Sequence, residues 1–341
     1  MTASKHRKHL IHARMARTGE SYSTARGHVL ARTARVALTP AYTIPAHGRH
    51  GQAVTFSADG TLLASGGQDG AARFWHAADG SPAFALEGHD RIVNAVVLLD
   101  GGATAVTASS DRTVRVWDVP SRTARATLTG HRDAVTTLAV LPAAAAVVSA
   151  GYDGRLRWWD LATATCVHEV RSPLGRIAAL ASLPGGGDGA GDGDGPRPVP
   201  GRVLAAGTGG AVIVHDAGGD EIRRIETGAP GVVGLALSPR NDVLVAAGYD
   251  GALTVWDVAS WDLLRRIEVG ARATAVAISA TGDLLAAAWD HHVGVWALGG
   301  DVPVASERLP IKGVYAVAFA PDGGRLAQTG ADGRVRCWRL R

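Results

Sequence analysis

The chain has 341 residues, of which 46% are apolar and 19% are charged, and its formal net charge is +4. This apolar content is enough for a sizeable core, which excludes a disordered chain. No apolar run is long enough to span a bilayer, and two cysteines are too few for a disulfide-stapled secreted domain. The composition therefore predicts a folded, cytoplasmic protein with no membrane segment.

Residues 1–36 form a basic amino-terminal extension. They carry eight Lys or Arg side chains against Glu20 alone, a net charge of +7 that leaves −3 for the rest of the chain. Ile11 and Met15 are four residues apart, a spacing typical of helices. Three interpretations fit: a solvated, partly helical tail, a nucleic-acid contact to RNA or a ribonucleoprotein, and a docking segment for another partner. No apolar core follows the basic start, so no secretory signal is predicted.

A short phrase is repeated along the remainder of the chain. It closes with a Trp six residues after an Asp, as in Asp69 and Trp75, and a degraded copy closes with His215. The closing positions are 75, 117, 159, 215, 256, 296 and 338. All but one of the steps between them are 40 to 42 residues long. A period of this length predicts an all-β, seven-bladed propeller with four antiparallel strands in each blade.

Alternation and turn residues predict four strands in the first unit, at residues 53–57, 61–65, 71–75 and 83–86, named a to d. The last unit ends three residues after Trp338 and lacks a d strand. Residues 41–44 have the d pattern without their own a, b or c strands. We therefore expect this segment to complete the last blade, closing the ring and removing an exposed edge.

One step, between positions 159 and 215, is longer than the others at 56 residues. It contains residues 184–201, which are rich in Gly, Asp and Pro. Such a composition cannot bury apolar surface, so an insertion loop in blade four is predicted. The predicted organisation is an extension over residues 1–36 and a propeller over residues 37–341.

Several independent sequence motifs resemble those of the WD40-repeat β-propeller family. Trp117-Asp118 and Trp159-Asp160 match its Trp-Asp pair, and Gly88-His89 and Gly130-His131 match its Gly-His pair. The resemblance covers roughly residues 37–341. It implies a non-catalytic scaffold that docks a protein or peptide on the propeller face bearing the d–a and b–c loops.

The resemblance also implies a buried polar tetrad in each blade, made of a His, a hydroxyl, an Asp and a Trp. In that arrangement each polar group finds a partner in a water-poor place. The matching residues are His47, Ser65, Asp69 and Trp75 in the first blade, His89, Thr107, Asp111 and Trp117 in the second, and His131, Ser149, Asp153 and Trp159 in the third. Blades five to seven carry Ala246, Ala286 and Gln328 at the hydroxyl position, and blade four has Gly209 at the Asp position. We expect blade four to open most easily.

The residues just before the tetrad Asp suggest where a partner docks. They include three aromatic side chains, and the d–a loops add basic ones. Tyr and Trp often anchor interfaces, and Arg pairs with carboxylates and phosphates. We hypothesise a face with aromatic anchors and a basic rim, suited to an acidic or phosphorylated segment; the alternative is that the aromatics only cover neighbouring blades. The candidate residues are Tyr152, Tyr249, Trp289, Arg91, Arg132, Arg176, Arg272 and Lys312.

No catalytic, cofactor or metal site is predicted. The Ser–His–Asp sets recur in register at blade positions, which indicates architecture rather than catalytic triads. Cys166 and Cys337 have no paired spacing and are interpreted as core thiols. An enzyme that uses the propeller channel is the remaining alternative, and it would need unpaired His, Glu or Asp at the channel mouth.

Overall fold

A computed structural model of the chain describes Met15 and residues 36–141, 145–183, 201–311 and 313–341. Across these residues the backbone forms seven antiparallel sheets of four strands each, which confirms the predicted seven-bladed propeller. Most of the basic extension and of the 184–201 insertion lies outside the described residues.

Strands that follow each other in the chain are hydrogen-bonded neighbours within each blade, except in the last blade, which is completed by the first strand. A 3-10 turn, Asp100–Gly102, separates the second blade's first two strands. In chain order the strands are β1 (Leu38–Pro45), β2 (Gly51–Phe56), β3 (Leu62–Gly67), β4 (Ala72–His76), β5 (Pro82–Leu86), β6 (Val93–Leu99), β7 (Thr104–Ser109), β8 (Val114–Asp118), β9 (Thr123–Leu128), β10 (Val135–Leu141), β11 (Ala146–Gly151), β12 (Arg155–Asp160), β13 (Thr165–Arg171), β14 (Ile177–Leu183), β15 (Arg202–Gly207), β16 (Ala211–His215), β17 (Glu221–Glu226), β18 (Val232–Leu237), β19 (Val243–Gly248), β20 (Ala252–Asp257), β21 (Leu263–Glu268), β22 (Ala273–Ile278), β23 (Leu284–Trp289), β24 (His292–Ala297), β25 (Ala305–Arg308), β26 (Val314–Phe319), β27 (Arg325–Gly330) and β28 (Arg334–Leu340).

The ring is closed by β1, which contains the predicted closing segment 41–44. It pairs antiparallel with β28 from Leu38 opposite Leu340 to Pro45 opposite Arg334. The innermost strands of neighbouring blades contact each other, and β26 of the last blade contacts β2 of the first. The edge that β28 would otherwise expose is therefore covered, and the prediction of a closed ring is confirmed.

The core lies between the blades because the second strand of each blade is packed on both faces. All six positions of β7, β11 and β19 are buried, and they are mostly Ala, Val, Ser and Thr. Outer strands such as β17 face solvent at nearly every position. Small side chains let the sheets approach closely; a Cβ on Gly207, for example, would lie 2.0 Å from the Arg176 carbonyl oxygen.

The two cysteines do not share one environment. Cys337 is buried in β28, as predicted for a core thiol. Cys166 is exposed on β13, so its interpretation as a core thiol was wrong. The reason is its place on an outer strand, whose first three residues, starting at Thr165, all face solvent.

Candidate docking surface at the channel mouth

One β-bulge recurs at the start of every innermost strand. In each blade the pairing register shifts across the second residue of the strand, as between Val135 and Thr137 in β10. Bulges re-aim side chains, and these seven second residues all line one cavity in the central channel. The seven are Gln52, Asn94, Thr136, Ala178, Val233, Thr274 and Tyr315.

Three of these bulge side chains hydrogen-bond to backbone carbonyls. Asn94 Nδ2 donates to the carbonyl of Val135 in the next blade at 2.7 Å, and Thr136 Oγ1 donates to the carbonyl of Ile177 in the blade after that at 2.7 Å. Thr274 Oγ1 donates to the carbonyl of Ala288 at 3.1 Å. The mouth is thus built by rigid inner strands whose polar side chains tie blade to blade, which favours a pre-formed site.

The cavity has a volume of about 490 Å³. Beside the bulge residues, its wall contains Tyr152 and Tyr249, which were predicted to face a partner, together with Arg272. Tyr315 also lines it, although it was not among the predicted residues. No carboxylate belongs to the lining within the described part of the chain, so Arg272 gives the mouth a positive charge.

Each of the three tyrosines at this mouth contacts an arginine or histidine side chain through its ring. The Arg176 Cζ lies 5.0 Å from the centre of the Tyr152 ring, and the Arg272 Cζ lies 4.1 Å from that of Tyr249. The His50 ring stacks on Tyr315, with centroids 5.8 Å apart. Tyr152 is 45% exposed, so this pair stands open to solvent. The aromatic and basic candidates are therefore not two separate groups: at Tyr152 and Tyr249 they form stacked pairs.

The other predicted basic residues occupy different surroundings. Arg91 and Arg132 line a separate hollow of about 430 Å³ that also contains Asp90 and Asp133. There the guanidinium groups share the space with carboxylates. Lys312 lies outside the described residues.

The structure places Trp289 away from the channel lining described above. Its ring stacks on His292 with centroids 5.5 Å apart, and its centroid lies 5.5 Å from that of Trp296. A Cβ on Gly294 would lie 2.7 Å from both tryptophans, so the glycine makes room for this packing. Trp289 therefore contributes to blade packing through these contacts.

The predicted tetrad residues lie together in the first three blades. His131 Nδ1 is 2.9 Å from Asp153 Oδ2, and His131 Nε2 is 2.7 Å from Ser149 Oγ. Trp159 Nε1 donates to the same Oγ at 2.7 Å. The corresponding distances in blade two, from His89 to Asp111 and Thr107, are both 2.7 Å.

The first blade has the same arrangement. His47 is 2.8 Å from Asp69 and 3.0 Å from Ser65, whose oxygen accepts from Trp75 at 3.2 Å. A neutral His that donates from Nδ1 to the Asp accepts from the hydroxyl at Nε2, and the hydroxyl oxygen accepts from the indole. Every polar side chain of this hydrogen-bond network has a partner, so the His and Asp side chains have a structural role.

The electrostatics agree with this structural use. Burial would raise the pKa of Asp153, but hydrogen bonds from His131 and from the backbone of Arg132 lower it to about 2. The pKa of Asp69 is set in the same way. Burial raises it, but the hydrogen bond from His47 outweighs burial, and the pKa falls to about 2. Burial lowers the pKa of His89 more than its bond to Asp111 raises it.

Blades four to six leave polar atoms without partners where the tetrad is incomplete. Among the described residues, Trp256 Nε1 and Trp296 Nε1 have no hydrogen-bond partner, because Ala246 and Ala286 stand at the hydroxyl position. In blade four His215 replaces the closing Trp, and its Nδ1 donates to the Gly219 carbonyl at 2.9 Å. Burial lowers the pKa of His215 as well.

We expect stability to decrease as pH falls below about 6.5, the usual pKa of an unfolded-state His. His89 and His215 have lowered pKa values in the folded state, so the unfolded chain binds more protons and gains relative stability. The penalty is absent above pH 6.5 and complete below the folded-state pKa. A second loss follows as pH drops from about 4 towards 2: it is roughly 2 kcal/mol for Asp153 and smaller for Asp69, whose charge is more exposed and is screened by water. Urea denaturation midpoints measured from pH 8 to pH 3 test this; a flat profile between pH 8 and 5 would contradict the histidine part.

Two further features are absent from the described residues. These residues contain no cluster of three or more His, Cys, Asp or Glu side chains that is arranged to hold a metal ion. They also contain no helix with the length and apolar character needed to cross a bilayer.

Comparison with known proteins places the repeats in one family. The profile of the WD40 family, described as "WD domain, G-beta repeat", matches residues 38–76, 80–118, 122–160, 221–257 and 310–339. These matches cover about half of the chain and fall in blades one, two, three, five and seven together with the closing strand.

Two curated relatives match a limited part of the chain. One is the "Target of rapamycin complex subunit wat1" of Schizosaccharomyces pombe, 31% identical over 107 residues, which is 30% of this chain and 34% of that protein. The other is "Protein groucho" of Drosophila melanogaster, 30% identical over 109 residues, which is 31% of this chain and 15% of that protein. The matched region thus spans about a third or less of the length of each relative.

Proposed function

The chain belongs to the WD40-repeat family of β-propellers, and from this premise we propose that it is a non-catalytic scaffold that docks a protein or peptide at the channel mouth. Propellers of this family generally act as protein-interaction scaffolds. One relative bears the name of a complex subunit, which is in keeping with this role. The cytoplasm is the proposed location.

The observation that carries the proposal is the ring of tyrosines around a pre-formed cavity. Tyr152, Tyr249 and Tyr315 come from three different blades and border one space of about 490 Å³. Aromatic side chains have few rotatable bonds and therefore lose little conformational entropy on binding, and they anchor interfaces more often than most residues. A cavity of this size accommodates one or two side chains of a docked segment.

The proposal that the protein is not an enzyme rests on how its titratable groups are used. The His and Asp of the three complete tetrads are bonded to each other, to Ser or Thr and to backbone N–H groups. The cavity lining offers amides, hydroxyls, phenols and one guanidinium. General acid–base chemistry needs a group that changes its protonation state next to the substrate, and the described lining does not supply an obvious one.

The basic extension supports a second candidate function, a nucleic-acid contact to RNA or a ribonucleoprotein. Its charge of +7 is the observation in favour, because clustered Lys and Arg side chains attract phosphate backbones. The extension lies outside the described residues apart from Met15 and Val36, so this candidate stays a prediction from the sequence.

Replacing both Tyr152 and Tyr249 with Ala is expected to abolish partner binding while the propeller remains folded. Both side chains lie at the mouth, and Tyr152 is substantially exposed, so their loss removes contact surface with little loss of core packing. Proteins that co-purify with each variant are quantified by mass spectrometry, with nuclease added so that nucleic-acid bridging is removed.

The matched control replaces Leu263 and Val302 with Ala. Both are exposed apolar side chains on the outer rim of blades five and six. The control should retain the partners. Equal recovery of the same partners by the wild type and the tyrosine variant would refute the docking site.

A further inference from the structure

We propose that the segment docked at the channel mouth is acidic, and that Arg176 and Arg272 each bind one of its carboxylate side chains. This inference rests on the proposed function and names the chemistry of its partner. It is carried by the two stacked Arg–Tyr pairs and by the absence of ion-pair partners for these two arginines among the described residues.

The two arginines differ from several others in the blades, which form ion pairs. On the third strands, Arg73 pairs with Asp69 at 2.9 Å and Arg336 pairs with Asp332 at 2.5 Å. Within the described residues, by contrast, neither the Arg176 nor the Arg272 side chain forms an ion pair. Each guanidinium instead lies over a tyrosine ring, at 5.0 Å and 4.1 Å. A cation–π contact of this kind uses none of the guanidinium N–H groups as hydrogen-bond donors, so they remain available to a ligand.

This arrangement selects against cationic ligands. A Lys or methylated ammonium group binds to the electron-rich face of a tyrosine ring. Arg176 already lies over Tyr152, and Arg272 already lies over Tyr249. A second positive charge placed beside these rings would be repelled, whereas an anion would be attracted.

The geometry favours carboxylates over phosphates. Arg176 lies in the connection between blades three and four and lines a hollow with Arg171 and the Asp153 carboxylate, whereas Arg272 lies in the connection between blades five and six. A planar carboxylate is matched by one planar guanidinium through two parallel hydrogen bonds. A dianionic phosphate is best held by several donors that converge on one point; Arg176 and Arg272 line separate spaces, and the Asp153 carboxylate beside Arg176 opposes a dianion.

The experiment is isothermal titration calorimetry of the full chain with short synthetic peptides of alternating glutamate and glycine. Matched peptides carry lysine or phosphoserine in place of glutamate. The variant Arg176→Gln with Arg272→Gln is compared with Arg91→Gln with Arg132→Gln, which removes the same charge from the same face at sites shared with Asp90 and Asp133. Circular dichroism checks that each variant is folded.

The glutamate peptide should bind, the lysine peptide should not, and the Arg176/Arg272 variant should lose about tenfold or more in affinity, equivalent to about 1.4 kcal/mol. The Arg91/Arg132 variant should lose much less. Equal losses in the two variants, binding of the lysine peptide, or tighter binding of the phosphoserine peptide would each overturn the inference.

The same measurement separates this inference from the proposed function. If no glutamate peptide binds while the Tyr152 and Tyr249 substitutions still remove protein partners, the acidic chemistry is wrong and the docking site stands. If the glutamate peptide binds as expected while the tyrosine substitutions leave partner recovery unchanged, protein docking at the mouth is refuted. In that case the mouth remains a binding site for acidic ligands.

Discussion

Deleting residues 1–45 is expected to open the ring and to lower the stability of the propeller severely. The deletion removes β1, which supplies the outer strand of the last blade by pairing with β28. It also removes the buried side chains of Leu38 and Ile44, which contribute roughly 3–6 kcal/mol together. The newly exposed edge of β28 adds a tendency to aggregate.

Deletion of residues 1–35 is the matched control, because it leaves β1 in place. That protein should elute and melt like the full chain, whereas the 1–45 deletion should melt at a lower temperature or aggregate. Addition of a synthetic peptide of residues 36–46 should restore its melting temperature by refilling the vacant strand position. A 1–45 deletion protein that melts like the full chain would show that β1 does not hold the ring closed.

Replacing Ser149 with Ala is expected to cost roughly 2–5 kcal/mol of unfolding free energy. Ser149 Oγ is the shared partner of His131 Nε2 and Trp159 Nε1, each at 2.7 Å, and all three side chains are buried. Its removal leaves a buried acceptor and a buried donor without partners, each at a cost of about 1–3 kcal/mol. Urea denaturation followed by tryptophan fluorescence measures the change.

Blade five offers the reverse substitution as a control. There Trp256 Nε1 has no partner among the described residues, and Ala246 occupies the position of Ser149. Ala246→Ser supplies an oxygen for the indole and should be neutral or stabilise by about 1 kcal/mol. A Ser149→Ala variant as stable as the wild type would show that the tetrad does not stabilise blade three.

Much of the fold was readable from the sequence because one local signal repeats at a fixed distance. The Asp and the Trp six residues later mark the turn and the third strand of a blade, so β4, predicted at residues 71–75, was located to within one residue. The closing strand β1 was recognisable because its pattern had no blade of its own. Strand ends shifted slightly, as in β2, which begins at Gly51 rather than at residue 53.

The residues of the proposed docking surface could be predicted from the sequence only in part. Tyr152 and Tyr249 stand at a fixed place before the tetrad Asp, so their position followed from the repeat. Tyr315 was missed because the sequence does not predict the β-bulge. This bulge turns the second residue of each inner strand into the channel. A comparison of that position across the repeats would have shown Gln52, Asn94 and Thr136 in mostly apolar strands.

The stacking partners could not be derived from the sequence. Trp289 has the same place in the repeat as Tyr152, yet it stacks on His292 and packs beside Trp296 because Gly294 leaves room for it. The pairing of Arg272 with Tyr249 joins residues 23 positions apart in different loops. Such contacts depend on how adjacent blades are packed, and the single sequence contains no direct record of that packing.

The most direct test of the central claim is site-specific photo-crosslinking in cells. A photoreactive amino acid is placed at position 152, at position 249 or, as a control, at position 263 on the outer rim, and crosslinked proteins are identified by mass spectrometry. Docking at the channel mouth predicts that positions 152 and 249 capture the same partner and that position 263 does not. Capture of the partner at position 263 alone would show that it binds the rim and would contradict the account.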